Sequence, residues 1–142
     1  MQITGRDARF IQLAMEESEK SSMGMRHGCI AVMHGKIIAR AFNETFKHSS
    51  NLWWSGHAEV QAIKAIKKNI VQPRRITLYV VRTTNSGSLH DSAPCLHCIN
   101  AIQKCPHIKR IIYSDSQGSI TRCSPHSYTT NHISWGLRFH QI

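Results

Sequence analysis

Long apolar runs are missing from this 142-residue chain. The longest, such as Cys29 to Met33, fall far short of the roughly 20 residues needed to cross a bilayer, so no membrane-spanning helix is expected. An apolar leader is also missing. Met1 to Phe10 carries Arg6, Asp7 and Arg9 where a secretory signal would be hydrophobic, and the expected location is therefore the cytoplasm. Internal repeats and low-complexity linkers are lacking too, which excludes a solenoid or a string of modules. Two domains would each be too small to bury an adequate core, so one domain over residues 1–142 is expected. Acidic residues are scarce. Eight Asp and Glu face 18 Lys and Arg, for a net charge of +10, with Lys64, Lys67, Lys68, Arg74, Arg75, Lys109 and Arg110 among the bases. Such a surplus concentrates anionic partners, phosphorylated substrates among them, although a merely solvated basic face has the same composition.

What is present alternates between two periods. Residues of about 6 to 20 place Ile11, Ala14, Met15 and Ser18 at helical spacing. Cys29 to Met33 and Lys36 to Phe42 are apolar runs joined at His34-Gly35, the signature of an antiparallel hairpin. From His57 to Ile70 the set Val60, Ile63, Ile66 and Ile70 steps by three or four, a second helix broken by Pro73. Arg75 to Arg82 reads as a buried central strand. Cys95 to Cys105 reads as a third helix stopped by Pro106, and Lys109 to Tyr113 as a fourth strand. Only turn residues separate Tyr113 from Ile120, too few for a parallel crossover, so a fifth strand should return antiparallel. Ser124 onward, with Pro125, Trp135, Gly136 and Phe139, has no clean period; a loop and a short helix are expected there. The fold class this implies is α/β with a mixed five-stranded sheet.

Chemistry concentrates at the starts of two helices, in His57-Ala-Glu59 and Pro94-Cys95-Leu-His-Cys98. An odd count of five cysteines, two of them in a Cys-x-x-Cys, points to metal or redox chemistry before disulfides. Cys95 and Cys98 at a helix start share one face, and the helix N-terminus favours their thiolates. His57 would complete a His/Cys/Cys set, which suits Zn2+ and leaves a fourth tetrahedral position for water. Glu59, two residues on, projects in another direction and is the candidate proton carrier.

The two motifs, His-x-Glu followed by Pro-Cys-x-x-Cys, resemble the signature of the cytidine/deoxycytidylate deaminase superfamily, over roughly Cys29 to Tyr113. The resemblance implies the cytidine-deaminase-like three-layer fold and hydrolytic removal of a base amino group, with Glu59 moving protons. It implies that Asn43 contacts the substrate sugar, that the backbone at Ala58 and Ala93 contacts the base, and that the protein is a homo-oligomer. Trp53 and Trp54, just before His57, are candidates for stacking a base, with core packing as the alternative.

Rival readings carry different residues. A structural zinc site would recruit Cys105, His97 or His107 as fourth ligand, and a redox pair would leave His57 and Glu59 unexplained. A second metal could be built from Cys105, His107, Cys123 and His126, against the more ordinary reading of buried cysteines and surface histidines. For substrate, the expected antiparallel last strand resembles the free-cytidine branch, whereas His57, where that branch usually has cysteine, resembles the other. A free cytosine nucleoside or nucleotide leads. A base in nucleic acid, tRNA adenosine or single-stranded cytosine, is the alternative, suited to the basic balance; a non-catalytic zinc module is third.

Overall fold

The computed structural model describes residues 4–47, 53–70, 72 and 74–128. The chain opens with α1 (Gly5–Ser18), whose N-cap Thr4 accepts a hydrogen bond from the Asp7 N–H at 3.0 Å. β1 (Arg26–Met33) and β2 (Lys36–Phe42) follow as the expected hairpin. His34 and Gly35 both have positive φ, as a two-residue turn matched to strand twist requires. A second, separate hairpin of β3 (Glu44–Lys47) and β4 (Trp53–Gly56) comes before α2 (Ala58–Asn69). Then come β5 (Ile76–Thr83), the two-residue β6 (Leu89–His90), α3 (Leu96–Gln103), β7 (Ile108–Ser114) and β8 (Ile120–Cys123). A single 3₁₀ turn, Pro125–Ser127, stands where a short helix was expected; Pro73, Trp135, Gly136 and Phe139 lie outside the described residues.

The main sheet has the order β2-β1-β5-β7-β8, with β6 paired to the end of β5. β5 and β7 are parallel and the other pairs antiparallel, so the sheet is mixed and its last strand returns as expected. β6 raises the strand count from five to six. Side-chain alternation sorts the core into two layers. Ile30, Val32, Tyr79, Val81 and Ile112 meet Phe10, Ile11 and Ala14 of α1 on one face. Cys29, Ala31, Leu78, Val80 and Ile111 meet Ala62, Ile66, Ile99 and Ile102 of α2 and α3 on the other.

Contact between α1 and the sheet is closest at Gly28, where an added Cβ would collide with the Ala14 carbonyl. Backbone on both sides leaves nothing that can swing away. Gly28→Ala is therefore expected to destabilise the fold by about 3 kcal/mol or more, the upper range of overpacking. Urea titration of the two proteins checks this, and an unchanged midpoint would contradict the packing described. Polar ties fix the same helix: Tyr79 donates to Asp7 at 2.6 Å, and the Ser18 and Thr83 hydroxyls lie 2.6 Å apart.

Candidate metal centre

α2 and α3 present their N-termini at the edge where β5 and β7 end and β1 begins. Sequence periodicity puts His57 and Cys95 inside these helices; in the structure each stands one residue ahead, as the N-cap, with extended backbone at φ −74°. The His57 side chain makes no capping bond to its own helix. The imidazole and the thiol turn instead toward Cys98 in the first turn of α3.

His57 Nδ1 lies 3.0 Å from Cys98 Sγ and 3.6 Å from Cys95 Sγ, and the three ligand atoms all fall within 4.8 Å of one another. Zinc bonds of about 2.0 Å to nitrogen and 2.3 Å to sulfur place such atoms roughly 3.5 Å apart in a tetrahedron, so the donor set fits the ion in both spacing and chemistry. Both cysteines are buried and His57 partly so. A hydrogen bond from Cys98 pulls Cys95 down to about 3, helped by His57, while the same contact and burial push Cys98 up. His57 is raised first by its bond with Cys95, against the opposing effect of burial. One thiolate is thus stabilised within the cluster.

Glu59 is only 4% exposed, in the first turn of α2. Burial pushes its carboxyl up from the ordinary range, His57 pulls it back, and its side chain bonds Cys98. A carboxyl raised toward neutrality beside a metal-ligand cluster suits proton transfer. Cys29 lies on the same sheet face, its thiol pushed up chiefly by burial and further by Glu59, and so remains protonated.

Asn43, buried just after β2, donates to the Met25 carbonyl at 2.6 Å and accepts from the His27 N–H at 2.9 Å. An amide keeps one further donor and acceptor after two bonds, so this clasp leaves capacity for a ligand. Ala58 is buried in the first turn of α2. The Ala93 N–H donates to Asp91 at 3.0 Å. Trp53 and Trp54 sit on β4, and their side chains lie outside what is described.

The other proposed ligands do not gather. Among the described residues, His57, Cys95 and Cys98 form the only such group. Cys105 is buried in the core, Cys123 packs against that core from β8, and His126 is exposed. His97, exposed, meets the His57 ring edge-on at 5.7 Å between centroids. The ordinary reading of those cysteines and histidines is the one the geometry supports.

Two features have no sequence motif. Ser92 Oγ donates to the Val80 carbonyl at 2.7 Å and accepts from the Ser114 N–H at 2.9 Å. Ser114 Oγ donates to the His90 carbonyl at 2.6 Å. These buried bonds bring the chain back to the sheet just before Pro94-Cys95, and Tyr128 OH ties down the Pro94 carbonyl at 2.6 Å. The second feature is His27, held at the start of β1 by Asn43.

The chain belongs to the cytidine and deoxycytidylate deaminase zinc-binding family, whose profile matches residues 4–115. A cytidine deaminase from Burkholderia pseudomallei is similar in fold, with TM-score 0.67 and 19% identity over 92% of this chain and 100% of that one. The dCMP deaminase of cyanophage S-TIM5 gives 0.62 at 24% identity over 82% and 86%. A diaminohydroxyphosphoribosylaminopyrimidine deaminase/5-amino-6-(5-phosphoribosylamino)uracil reductase from Thermotoga maritima gives 0.55 at 26% identity, over 75% of this chain but 28% of that one. No curated protein sequence matches.

Proposed function

We propose that this protein is a zinc-dependent hydrolytic deaminase of a cytosine nucleoside or nucleotide, releasing ammonia and the uracil product from one catalytic domain. The observation that carries the reading is the buried Glu59 carboxyl against a three-ligand His57/Cys95/Cys98 cluster. Zinc, when bound, supplies Lewis acidity that brings the pKa of water to about 7. As water adds to C4, Glu59 takes one of its protons to ring N3; it then carries the other, from the C4 hydroxyl so formed, to the amine, whose bond to C4 breaks to release ammonia and leave the uracil carbonyl. Asn43 offers its remaining donor and acceptor to the sugar. With the Ala93 N–H committed to Asp91, that residue contributes through its carbonyl, and Ala58 forms the floor at the helix start.

Support for a free substrate comes from the antiparallel β8, which resembles the free-cytidine branch of the superfamily. The structural relatives include both a cytidine deaminase and a dCMP deaminase seen with dCMP and dUMP, so nucleoside and nucleotide both belong in the reading. A homo-oligomer, by family resemblance, and a cytoplasmic location are parts of the same proposal.

Ammonia release from cytidine, deoxycytidine, CMP, dCMP and an adenosine-containing tRNA loop, each beside a Glu59→Ala control, tests it. Turnover of a free cytosine compound that vanishes in the control is the expected result. Activity confined to polynucleotide would replace the reading with a nucleic-acid editor, and bound zinc without any turnover would leave a non-catalytic module.

A further inference from the structure

We propose that Arg82, with His27 beside it, is the phosphate subsite next to the His57/Cys95/Cys98 cluster, so that the substrate is a cytosine nucleoside monophosphate in preference to the nucleoside. The inference deepens the deaminase reading and rests on it for the identity of the base.

Position comes first. β1 and β5 are antiparallel neighbours in which His27 pairs directly with Arg82. Along β5, Leu78 and Val80 face α2 and α3, while Tyr79 and Val81 face α1; along β1, Cys29 and Ala31 share the former face. Alternation carries Arg82 and His27 onto the face that bears the metal-ligand cluster, at the strand ends where α2 and α3 begin. His57 and Cys95 are among the charges that act on His27, in keeping with that position.

Charge comes second. Arg82 is half-buried, yet among the described residues its guanidinium has no hydrogen bond or ion pair, although its backbone N–H donates to Ser114 Oγ at 3.3 Å. Two carboxylates are engaged by other groups and do not pair with Arg82. Asp7 takes Tyr79 and Arg110, and Glu17 takes Lys20 and Arg40. Arg26, on the neighbouring strand, donates from Nη2 to the Thr84 carbonyl at 2.6 Å, while its Nε is buried without a hydrogen-bond partner among the described residues. The Arg82 guanidinium is thus free for an incoming anion, and its planar fork fits phosphate oxygens in pairs.

His27 complements it. Burial, and then Arg82, push its imidazole down to about 4, so the ring is neutral at pH 7 and Arg82 is the single charge of the pair. The Asn43 clasp on Met25 and His27 holds this strand start in place, joining the sugar candidate to the phosphate candidate in one hydrogen-bonded unit.

Calorimetric binding of dUMP, deoxyuridine and a single-stranded deoxyuridine-containing oligonucleotide to zinc-loaded wild type, Arg82→Gln and Arg82→Lys tests the subsite without turnover. Wild type is expected to bind dUMP at least about 10-fold more tightly than deoxyuridine. Arg82→Gln should weaken dUMP by about 10- to 100-fold, the range for a lost charged hydrogen bond, and leave deoxyuridine unchanged, with Arg82→Lys recovering part of the loss. An unchanged dUMP-to-deoxyuridine ratio in Arg82→Gln, or no dUMP binding at all, overturns the proposal. Loss of oligonucleotide binding alone overturns it in favour of a polynucleotide phosphate. Ammonia release from cytidine with Arg82→Gln indifferent to the phosphate sinks this inference and spares the deaminase reading. Arg82-dependent dUMP binding without ammonia release from any cytosine compound does the reverse.

Discussion

Glu59→Gln should lower turnover of the proposed cytosine substrate by at least about 10²- to 10⁴-fold, the contribution of a positioned proton carrier. The substitution nearly conserves volume and hydrogen-bonding reach at a site that is 4% exposed, so α2 and the packing beneath it are expected to survive. What glutamine cannot do is accept a proton and return it. Zinc content should therefore remain one per chain and the circular dichroism spectrum unchanged while ammonia release disappears. A variant that still turns over at a tenth of the wild-type rate would show that the proton is carried elsewhere.

Cys98→Ala is expected to abolish zinc retention and activity together. Cys98 Sγ is the ligand atom nearest His57 Nδ1, at 3.0 Å, and its removal leaves a two-ligand site on a helix start. The matched control is Cys105→Ala, a buried cysteine just past the end of α3 that packs the core and takes no part in the cluster. It should lower stability modestly, as deletion of a small buried side chain does, and keep its metal. Chelation of the wild type should reproduce the Cys98→Ala phenotype, with activity restored by zinc. Acid should do the same, because all three ligands must shed protons to bind the ion. Equal zinc content in Cys98→Ala and wild type, measured by elemental analysis, would contradict the assigned ligand set.

Most of what defines the site could be read from the chain, because its motifs are local. His57-x-Glu59 and Pro94-Cys95-x-x-Cys98 each open a helix, and three-residue spacing plus helix-start position is enough to bring two sulfurs together. The His34-Gly35 hairpin and the antiparallel β8 were legible for the same reason: a tight turn or a short connection leaves little freedom of topology. The N-cap placement of His57 and Cys95 was not, since periodicity locates a helix only to within a residue or two. Nor were β3 and β4, four residues each and outside the main sheet, or the two-residue β6. His27 and Arg82 belong to no motif. They become a pair only through the β1–β5 register, and that is a property of tertiary pairing. Ser92 and Ser114 are similar: common residues whose mutual clasp forms only when β7 lies beside β5.

Zinc K-edge absorption spectroscopy of the purified protein addresses the central claim most directly, since it reads the ligands of the ion itself. One zinc per chain, with two sulfur neighbours near about 2.3 Å and two nitrogen or oxygen neighbours near about 2.0 Å, is the outcome that follows from a His57/Cys95/Cys98 site with one position left for solvent. A spectrum requiring three or more sulfurs, or a preparation without stoichiometric metal, would contradict it.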